Sequence, residues 1–329
     1  MKHHRIWRRF LAFAVLLLLV ANAVIYNHAR AMLHFASDGE RTPKPEELRG
    51  FQKLKTLLLG IRLPRPENSA APDAVGLGYE QVAIKSADGI SLGVWHCPAI
   101  HAKCVVLLFH GYGSEKSSLL AAAKAIHELG AATMLVDFRG SGQSSGSLTT
   151  VGYREADDVE AVFRFAKTSY PGLPVVLYGE SMGAAAVLRA VMENGIKPEG
   201  IMAVSVFDRL VQTVGNRFKA MHLPAFPFAH ALVFWAGVDL GVDAFRHNPV
   251  EYARRVSCPI LFLHGEIDPR ATLDEGKNVF NAVSGSSKTL VVFPGEGHVS
   301  LIAHDGRKWR DAVADLLHRA CSQIKDGNG

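Results

Sequence analysis

One pentapeptide, Gly179-Glu180-Ser181-Met182-Gly183, stands where a short apolar run gives way to a helix-forming one. The upstream run, Pro174-Val175-Val176-Leu177-Tyr178, is rich in β-branched residues and predicts a buried strand. The alanine-rich residues 184–192 downstream favour a helix. Gly-x-Ser-x-Gly at such a junction is typical of a nucleophile elbow, because the glycines leave room for a sharp turn. The helix start also directs backbone N–H groups toward developing negative charge.

The remainder of the chain alternates between strand and helix patterns. Tyr79–Ser86 and Ser91–Cys97 flank Asp88-Gly89, a turn signal that predicts an opening antiparallel hairpin. Later strand patterns lie near residues 104–109, 131–136, 174–178, 200–205, 259–264 and 288–293, and helical patterns lie near 115–129, 153–169, 182–194, 271–283 and 306–324. This alternation predicts an α/β fold, with a mostly parallel eight-stranded sheet covered by helices on both faces.

Two further residues complete a candidate catalytic triad with Ser181. A serine hydroxyl needs a histidine to accept its proton, and that histidine needs an acid to orient it. Asp268 follows the strand pattern at 259–264, and His298 follows the pattern at 288–293 within a glycine-rich turn. Taken singly, Asp268 could be a helix cap and His298 an exposed loop residue. Their order after Ser181, each past a strand end, favours the triad.

An oxyanion hole would need two backbone N–H donors near the serine. Met182, directly after the serine, would supply one. Tyr112 would supply the other, because His110-Gly111-Tyr112 follows the central strand pattern at 104–109. The phenol of Tyr112 is open to two interpretations, as a wall of an acyl pocket or as a packing group.

Five motifs together resemble those of α/β-hydrolases, and in particular the single-pass, membrane-anchored serine hydrolases of the BEM46-like (ABHD13-like) group. They are His110-Gly111-Tyr112-Gly113, Asp137-Phe138-Arg139-Gly140-Ser141-Gly142-Gln143-Ser144, Gly179-Glu180-Ser181-Met182-Gly183, His264-Gly265-Glu266-Ile267-Asp268 and Gly295-Glu296-Gly297-His298. The resemblance covers nearly all of residues 79–325 and implies the α/β-hydrolase fold. It also implies a structural role for Asp137 and Arg139. Tyr112 departs from the family pattern, which often has asparagine there.

The N-terminal sequence predicts that the protein is exported from the cytoplasm. Lys2, Arg5, Arg8 and Arg9 precede an uncharged stretch, Phe10–Tyr26. Residues 1–27 are therefore either an uncleaved membrane anchor or a signal peptide cleaved at Ala21-Asn22-Ala23, and both interpretations place the catalytic domain outside the cytoplasm. A buried core helix is disfavoured by the flanking arginines.

The charge balance argues against a nucleic-acid partner. The net charge of +5 comes from 36 Lys and Arg against 31 Asp and Glu, and four of those basic residues lie in the N-terminal cluster. The rest of the chain is close to neutral and offers no basic face for nucleic acid. We expect no cofactor and no metal site, since no cysteine pair has zinc-ligand spacing.

Residues 28–78 contain several prolines and predict a stalk. Within them Glu46–Ile61 has helical character, and its apolar residues Leu48, Phe51, Leu54, Leu58 and Ile61 can share one face. That face could lie on a membrane surface or pack against the domain. Cys97 and Cys104, at the ends of successive strands, could form a disulfide if their Cα atoms approach within roughly 7 Å.

The insertion at about 206–256 predicts a helical cap. Its aromatic and methionine content suits an apolar acyl or lipid-like substrate, although helices packed on the sheet would need many of the same residues. We therefore expect hydrolysis of ester or thioester bonds through an acyl-enzyme. Two alternatives remain: a serine peptidase or aminopeptidase, with Glu180 or Asp208 as candidate amine-binding acids, and a non-catalytic membrane-tethered binding protein. The oligomeric state is left open.

Overall fold

A single eight-stranded sheet forms the centre of the computed structural model, which describes residues 2–43 and 47–322. The strands are β1 Glu80–Lys85, β2 Ser91–Cys97, β3 Val105–Phe109, β4 Ala132–Val136, β5 Val175–Glu180, β6 Gly200–Val204, β7 Ile260–Gly265 and β8 Lys288–Phe293. Their spatial order is β1-β2-β4-β3-β5-β6-β7-β8. The pairs β1–β2 and β2–β4 are antiparallel and the others are parallel. The predicted fold class is confirmed, including the antiparallel opening hairpin.

Helices cover both faces of this sheet. They are α1 Lys2–Leu33, α2 Gly50–Leu59, α3 Leu120–Glu128, α4 Glu155–Ser169, α5 Met182–Glu193, α6 Leu210–Ala220, α7 Phe228–Leu240, α8 Pro249–Tyr252, α9 Leu273–Ala282, α10 Leu301–His304 and α11 Gly306–Ser322. One apolar cluster joins the sheet to α4, α5, α8 and α9, and a second joins the opposite face to α3 and α11. Central strands β3 to β7 are buried except at Glu180, the last residue of β5, which explains their continuous apolar runs. The predicted domain end at residue 325 lies outside the described residues.

The cap consists of α6 and α7, within the predicted insertion at 206–256. Its own apolar cluster includes Phe207, Val214 and Leu232, together with Ala29 from α1. The short helix α8 belongs instead to the cluster beneath the sheet. The cap therefore packs against the N-terminal helix as well as against the domain.

The helix α1 combines a free half and a packed half. It is long and apolar enough to cross a membrane, a property that a signal sequence would share. Its first part is exposed through Ala21, whereas Ala29 and Leu33 are buried. The predicted end of the N-terminal segment at residue 27 falls inside this helix. Residues 22–33 of the helix pack against the cap.

Around residues 34–36 and 62–66, the predicted stalk lies along the domain surface. Phe35 donates its N–H to the carbonyl of Ser147 (2.8 Å), and Ala36 donates to Leu63 (2.8 Å). The Arg65 guanidinium donates to the carbonyls of Gly142 (3.1 Å) and Ser144. These backbone contacts hold the segment against the loop that follows β4.

The amphipathic helix in this segment, α2, has no buried residue. The exposed fractions of Phe51, Leu54 and Leu58 are 78%, 53% and 62%. The structure therefore does not show this apolar face packed against the domain. Leu48, just before the helix, is buried. The predicted start of the helix at Glu46 lies outside the described residues.

The proposed disulfide between Cys97 and Cys104 is wrong. Cys97 of β2 and Val106 of β3 both pair with Thr133, on opposite sides of β4. Two strand spacings of about 4.8 Å separate β2 from β3 at this level, which exceeds the reach of a disulfide. Both thiols are free.

A buried ion pair holds the loops at the carboxyl ends of β3 and β4. The Lys116 ammonium lies 2.5 Å from a carboxylate oxygen of Asp137, and neither side chain is exposed. Asp137 also accepts hydrogen bonds from Asn68 (2.9 Å) and from the N–H of Gln143 (2.9 Å). Lys116 stacks over the Trp95 ring, 4.3 Å from its centroid. Asp137 therefore has a structural role in holding these loops. Arg139 is likewise paired with the buried Asp158.

We expect Lys116→Met to destabilise the protein by about 3–5 kcal/mol, because it leaves the Asp137 carboxylate buried without its cation. Lys124→Met, on the exposed side of α3, is the control and should change the free energy of unfolding by less than about 0.5 kcal/mol. Urea denaturation of both variants measures the difference. Equal stability of the two would contradict this account.

Candidate active site

Ser181 lies at a strained turn between β5 and α5. Its backbone has φ 50° and ψ −105°, outside the regions that most side chains adopt. The turn is possible because Gly183 has no Cβ: one built there would lie 2.4 Å from the carbonyl oxygen of Phe109. The first residues of α5 thus pack directly on the end of β3. This is the local geometry of a nucleophile elbow.

The loop after β3 passes beside this elbow. A Cβ built on Gly111 would lie 3.7 Å from the Ser181 Cβ, so the predicted oxyanion loop and the serine are neighbours. His110 is fully buried and accepts a hydrogen bond at Nε2 from the N–H of Phe138 (3.1 Å), while its Nδ1 pairs with the Gly111 carbonyl (2.8 Å). Burial lowers the pKa of His110, although nearby Asp137 opposes this. A neutral His110 therefore shapes the loop.

The phenol of Tyr112 points away from the elbow toward α1. Its O–H donates to the carbonyl of Met32 (2.6 Å), and the Arg217 guanidinium lies 5.4 Å from its ring centroid. The Tyr112 side chain also lines the cavity described below. The phenol therefore packs against α1, and the residue also borders the cavity.

Asp268 and His298 meet at the ends of β7 and β8. The His298 Nδ1 lies 2.7 Å from Asp268 Oδ2, and the other carboxylate oxygen accepts the N–H groups of Arg270 (2.8 Å) and Ala271 (3.0 Å). Burial opposes ionisation of Asp268, but these hydrogen bonds, His298 first, hold its pKa below the usual range. Asp268 is thus a buried carboxylate aimed at one histidine nitrogen.

The two loops carrying these residues are held together by close backbone packing. A Cβ built on Gly265 would lie 2.4 Å from the carbonyl oxygen of Gly297. The N–H of Ile267 donates to the Glu296 carbonyl (2.9 Å), and the N–H of Gly295 donates to the Glu266 carboxylate (2.9 Å). Glycines and glutamates in both motifs therefore serve to position Asp268 and His298.

Ser181 and His298 line one cavity of about 800 Å³. Its walls are largely apolar and come from α1, α2 and the cap; Gly111 and Tyr112 also border it. Met182 is buried at the first position of α5, directly after the serine. Among the described residues, no group of three or more His, Cys, Asp or Glu side chains could hold a metal ion.

Several residues that sequence reasoning did not single out support the Asp268 loop. His264 donates from Nε2 to the Ala271 carbonyl (2.8 Å), and Asn216 of the cap bonds the Arg270 carbonyl (3.1 Å). Asn216 also donates to Glu275 (2.9 Å), which caps α9 through Thr272. The capping pattern Thr-x-x-Glu was visible in the sequence, whereas the contacts of His264 and Asn216 join residues distant along the chain.

Glu180, beside the serine, lies in the cavity wall. Its Oε1 accepts the Tyr178 O–H (2.6 Å). Burial raises its pKa, although proximity to His298 opposes the shift. The other candidate amine-binding acid, Asp208, is buried with Asn278 (3.0 Å) and Arg209 (3.2 Å) as partners and does not line the cavity.

Several known proteins are similar to this chain. A family model described as "Serine aminopeptidase, S33" matches residues 100–232, less than half of the chain. An uncharacterised protein of Mycobacterium tuberculosis is 27% identical over 241 residues, covering 72% of this chain and 78% of that relative. Lysophosphatidylserine lipase ABHD12 of Danio rerio is 24% identical over 261 residues, covering 70% of this chain and 65% of the lipase.

Solved structures show the same fold. The Pyrococcus furiosus esterase Pf2001 matches with a TM-score of 0.66 at 23% identity, covering 78% of this chain and 96% of the esterase. The α/β hydrolase GrgF from Penicillium sp. matches with a TM-score of 0.60 at 19% identity, covering 75% and 100%. The chain therefore has the α/β-hydrolase fold. These likenesses support a hydrolase, and the resemblance to α/β-hydrolases inferred from the motifs is confirmed.

Burial raises the pKa of Glu275 from its usual 4.5 to about 7, although hydrogen bonds from Thr272 and Asn216 oppose this. The folded protein therefore holds a proton that the unfolded chain releases, and stability is lost as the pH rises toward about 7. We expect the melting temperature of Glu275→Gln, relative to wild type, to be higher at about pH 8 than at about pH 5. Differential scanning calorimetry measures this.

Glu40→Gln, at an exposed glutamate, is the control for the removal of one carboxylate. If the melting temperature of Glu275→Gln, relative to wild type, stayed constant or fell as the pH rose, a neutral Glu275 beneath the cap would be contradicted.

Proposed function

We propose that the protein is a serine hydrolase that transfers the acyl group of an apolar ester or thioester to water through an acyl-enzyme. The observation that carries the proposal is that Ser181 and His298 share one cavity while His298 is held by Asp268 at 2.7 Å. Ser181 attacks the carbonyl carbon, and His298 accepts its proton and returns it to the leaving group. Water then attacks the acyl-enzyme with His298 as the base.

Asp268 keeps His298 in one tautomer, with the proton on Nδ1, so that Nε2 is free to accept the serine proton. The backbone N–H groups of Tyr112 and Met182 hold the oxyanion. Supporting this role, the loop of Gly111 lies beside Ser181, and Met182 begins α5, where the helix dipole favours negative charge.

The cavity walls support an apolar substrate class. The cap contributes Phe218, Met221, Leu223 and Phe228, which suit an alkyl chain and offer little to a polar metabolite. The arginines Arg41 and Arg217 also border the cavity and would favour an anionic group. One relative is named a lysophosphatidylserine lipase, and an acyl ester with an anionic head group would match this lining.

The protein is anchored by α1, with its basic N-terminus in the cytoplasm and the catalytic domain on the exported side of the membrane. Supporting this, the 18 most apolar consecutive residues of α1 are unburied, and the preceding arginines fit the positive-inside rule. The exposed apolar face of α2, with Phe51 and Leu58, would lie on the same membrane surface. A signal peptide cleaved from a secreted enzyme is the alternative.

The test of catalysis is labelling of the full chain in detergent with a fluorophosphonate probe. We expect Ser181→Ala to abolish labelling and His298→Ala to reduce its rate by at least about a thousandfold, because the serine then lacks its base. Ser286→Ala, at an exposed serine outside the cavity, is the control and should label like wild type.

Thermal melting of each variant separates lost chemistry from lost folding. A folded wild type that does not label would overturn the proposal and favour the non-catalytic binding protein.

An aminopeptidase is the second candidate, because the matching family model carries that description and Glu180 places a carboxyl in the cavity. Burial raises the Glu180 pKa, which disfavours the ionised form that would capture a substrate amine. We therefore expect p-nitrophenyl butyrate to be cleaved with a much higher kcat/KM than aminoacyl p-nitroanilides. The reverse preference, with a higher KM for the anilides in Glu180→Gln, would establish the aminopeptidase.

A further inference from the structure

One stripe of the N-terminal helix lines the catalytic cavity. Its residues recur every three or four positions and so share one face of α1: Leu17, Val20, Ala21, Val24, Ile25, His28 and Met32. The stripe extends for about 22 Å along the helix axis. A helix that served only as a membrane anchor would need only sufficient length and apolar side chains. This stripe, in addition, borders the same cavity as Ser181 and His298.

Polar contacts hold this part of α1 in a defined place. Asn22 accepts the Trp235 indole N–H (3.1 Å), and Asp239 of α7 binds both Tyr26 (3.4 Å) and His34 (2.6 Å). At its end the Met32 carbonyl accepts the Tyr112 phenol (2.6 Å), which belongs to the loop beside the serine. The helix is therefore joined to the cap and to the candidate oxyanion loop.

The end of α2 and the residues just after it also border the cavity, next to α1. Leu57, Leu58 and Ile61 line the cavity, and the His28 Nε2 pairs with the Leu57 carbonyl (3.0 Å) where the two helices approach. At the far end, Leu17 and Val20 line the cavity and are also 60% and 52% exposed. The cavity is thus open at Leu17 and Val20, within the uncharged stretch of α1.

We propose that α1 is a wall of the substrate cavity, and that the acyl chain of a membrane-resident lipid ester enters from the bilayer between α1 and α2. This inference rests on the proposed function. An opening bordered by apolar side chains at the depth of the hydrocarbon lets the chain pass from lipid to protein without exposure to water. Cleavage after Ala23 would remove Leu17, Val20 and Ala21 from the wall, so the anchor is retained in the working enzyme.

The test compares two alanines that are two positions apart on α1. Ala21 lines the cavity, whereas Ala23 is exposed on the other side of the helix, about 200° away. Ala21→Trp and Ala23→Trp, in the full chain reconstituted in lipid nanodiscs, are assayed with p-nitrophenyl palmitate and p-nitrophenyl butyrate. The measured quantity is kcat/KM for the long ester divided by kcat/KM for the short one.

We expect Ala21→Trp to lower this ratio at least about tenfold, because the indole fills the path of the chain. Ala23→Trp should keep the ratio within about twofold of wild type. Equal ratios in both variants and wild type would overturn the cavity-wall role. Absence of activity on either ester in the wild type would instead remove the proposed function, and this inference with it.

A second measurement does not depend on how the variants fold. A long-chain alkyl fluorophosphonate with a terminal diazirine is bound to the wild-type protein in nanodiscs, irradiated and digested. Cross-links from the Ser181-bound probe to peptides containing residues 17–28 are expected. Cross-links confined to the cap, with none to α1, would overturn the proposed path.

Discussion

The contact between the start of α5 and the end of β3 is the constraint on which the site depends. Gly183 brings the helix so close to the carbonyl of Phe109 that a methyl group would not fit. Two residues before this contact, Ser181 has a positive φ, and it borders the cavity. The contact also brings the loop of Gly111 beside the serine. The nucleophile and the candidate oxyanion loop are therefore positioned by one packing contact between glycine and backbone.

Buried polar groups then hold the remaining loops at the carboxyl edge of the sheet. Lys116 and Asp137 fix the loops after β3 and β4, and His264 fixes the loop of Asp268. Asn216 extends the same network into the cap, since it bonds both the Arg270 carbonyl and Glu275. Because a buried polar group without a partner is costly, each of these pairs resists displacement of the loop it binds. The cap is thus coupled to the orientation of the acid that holds His298.

In the proposed arrangement, the N-terminal helix relates this scaffold to the membrane. Its free half has the composition of a membrane span, and its packed half shares an apolar cluster with the cap. The helix α2, whose apolar side chains such as Phe51 are exposed, approaches α1 at His28. An active-site cavity whose walls are continuous with a membrane segment is suited to substrates that reside in lipid, because neither the chain nor the cavity must be hydrated during entry.

The amino-acid sequence by itself determined the sheet, its hairpin and the helices between strands, because strand and helix periodicities and turn residues act over a few neighbours. It also marked Ser181, Asp268 and His298 as candidates, since each follows a recognisable strand. Tertiary structure decided the rest. It placed β4 between Cys97 and Cys104, packed Phe35 and Leu63 on the domain, and made α1 a wall of the cavity. These outcomes depend on contacts between distant segments, such as Tyr112 with Met32, and local patterns carry no record of such contacts.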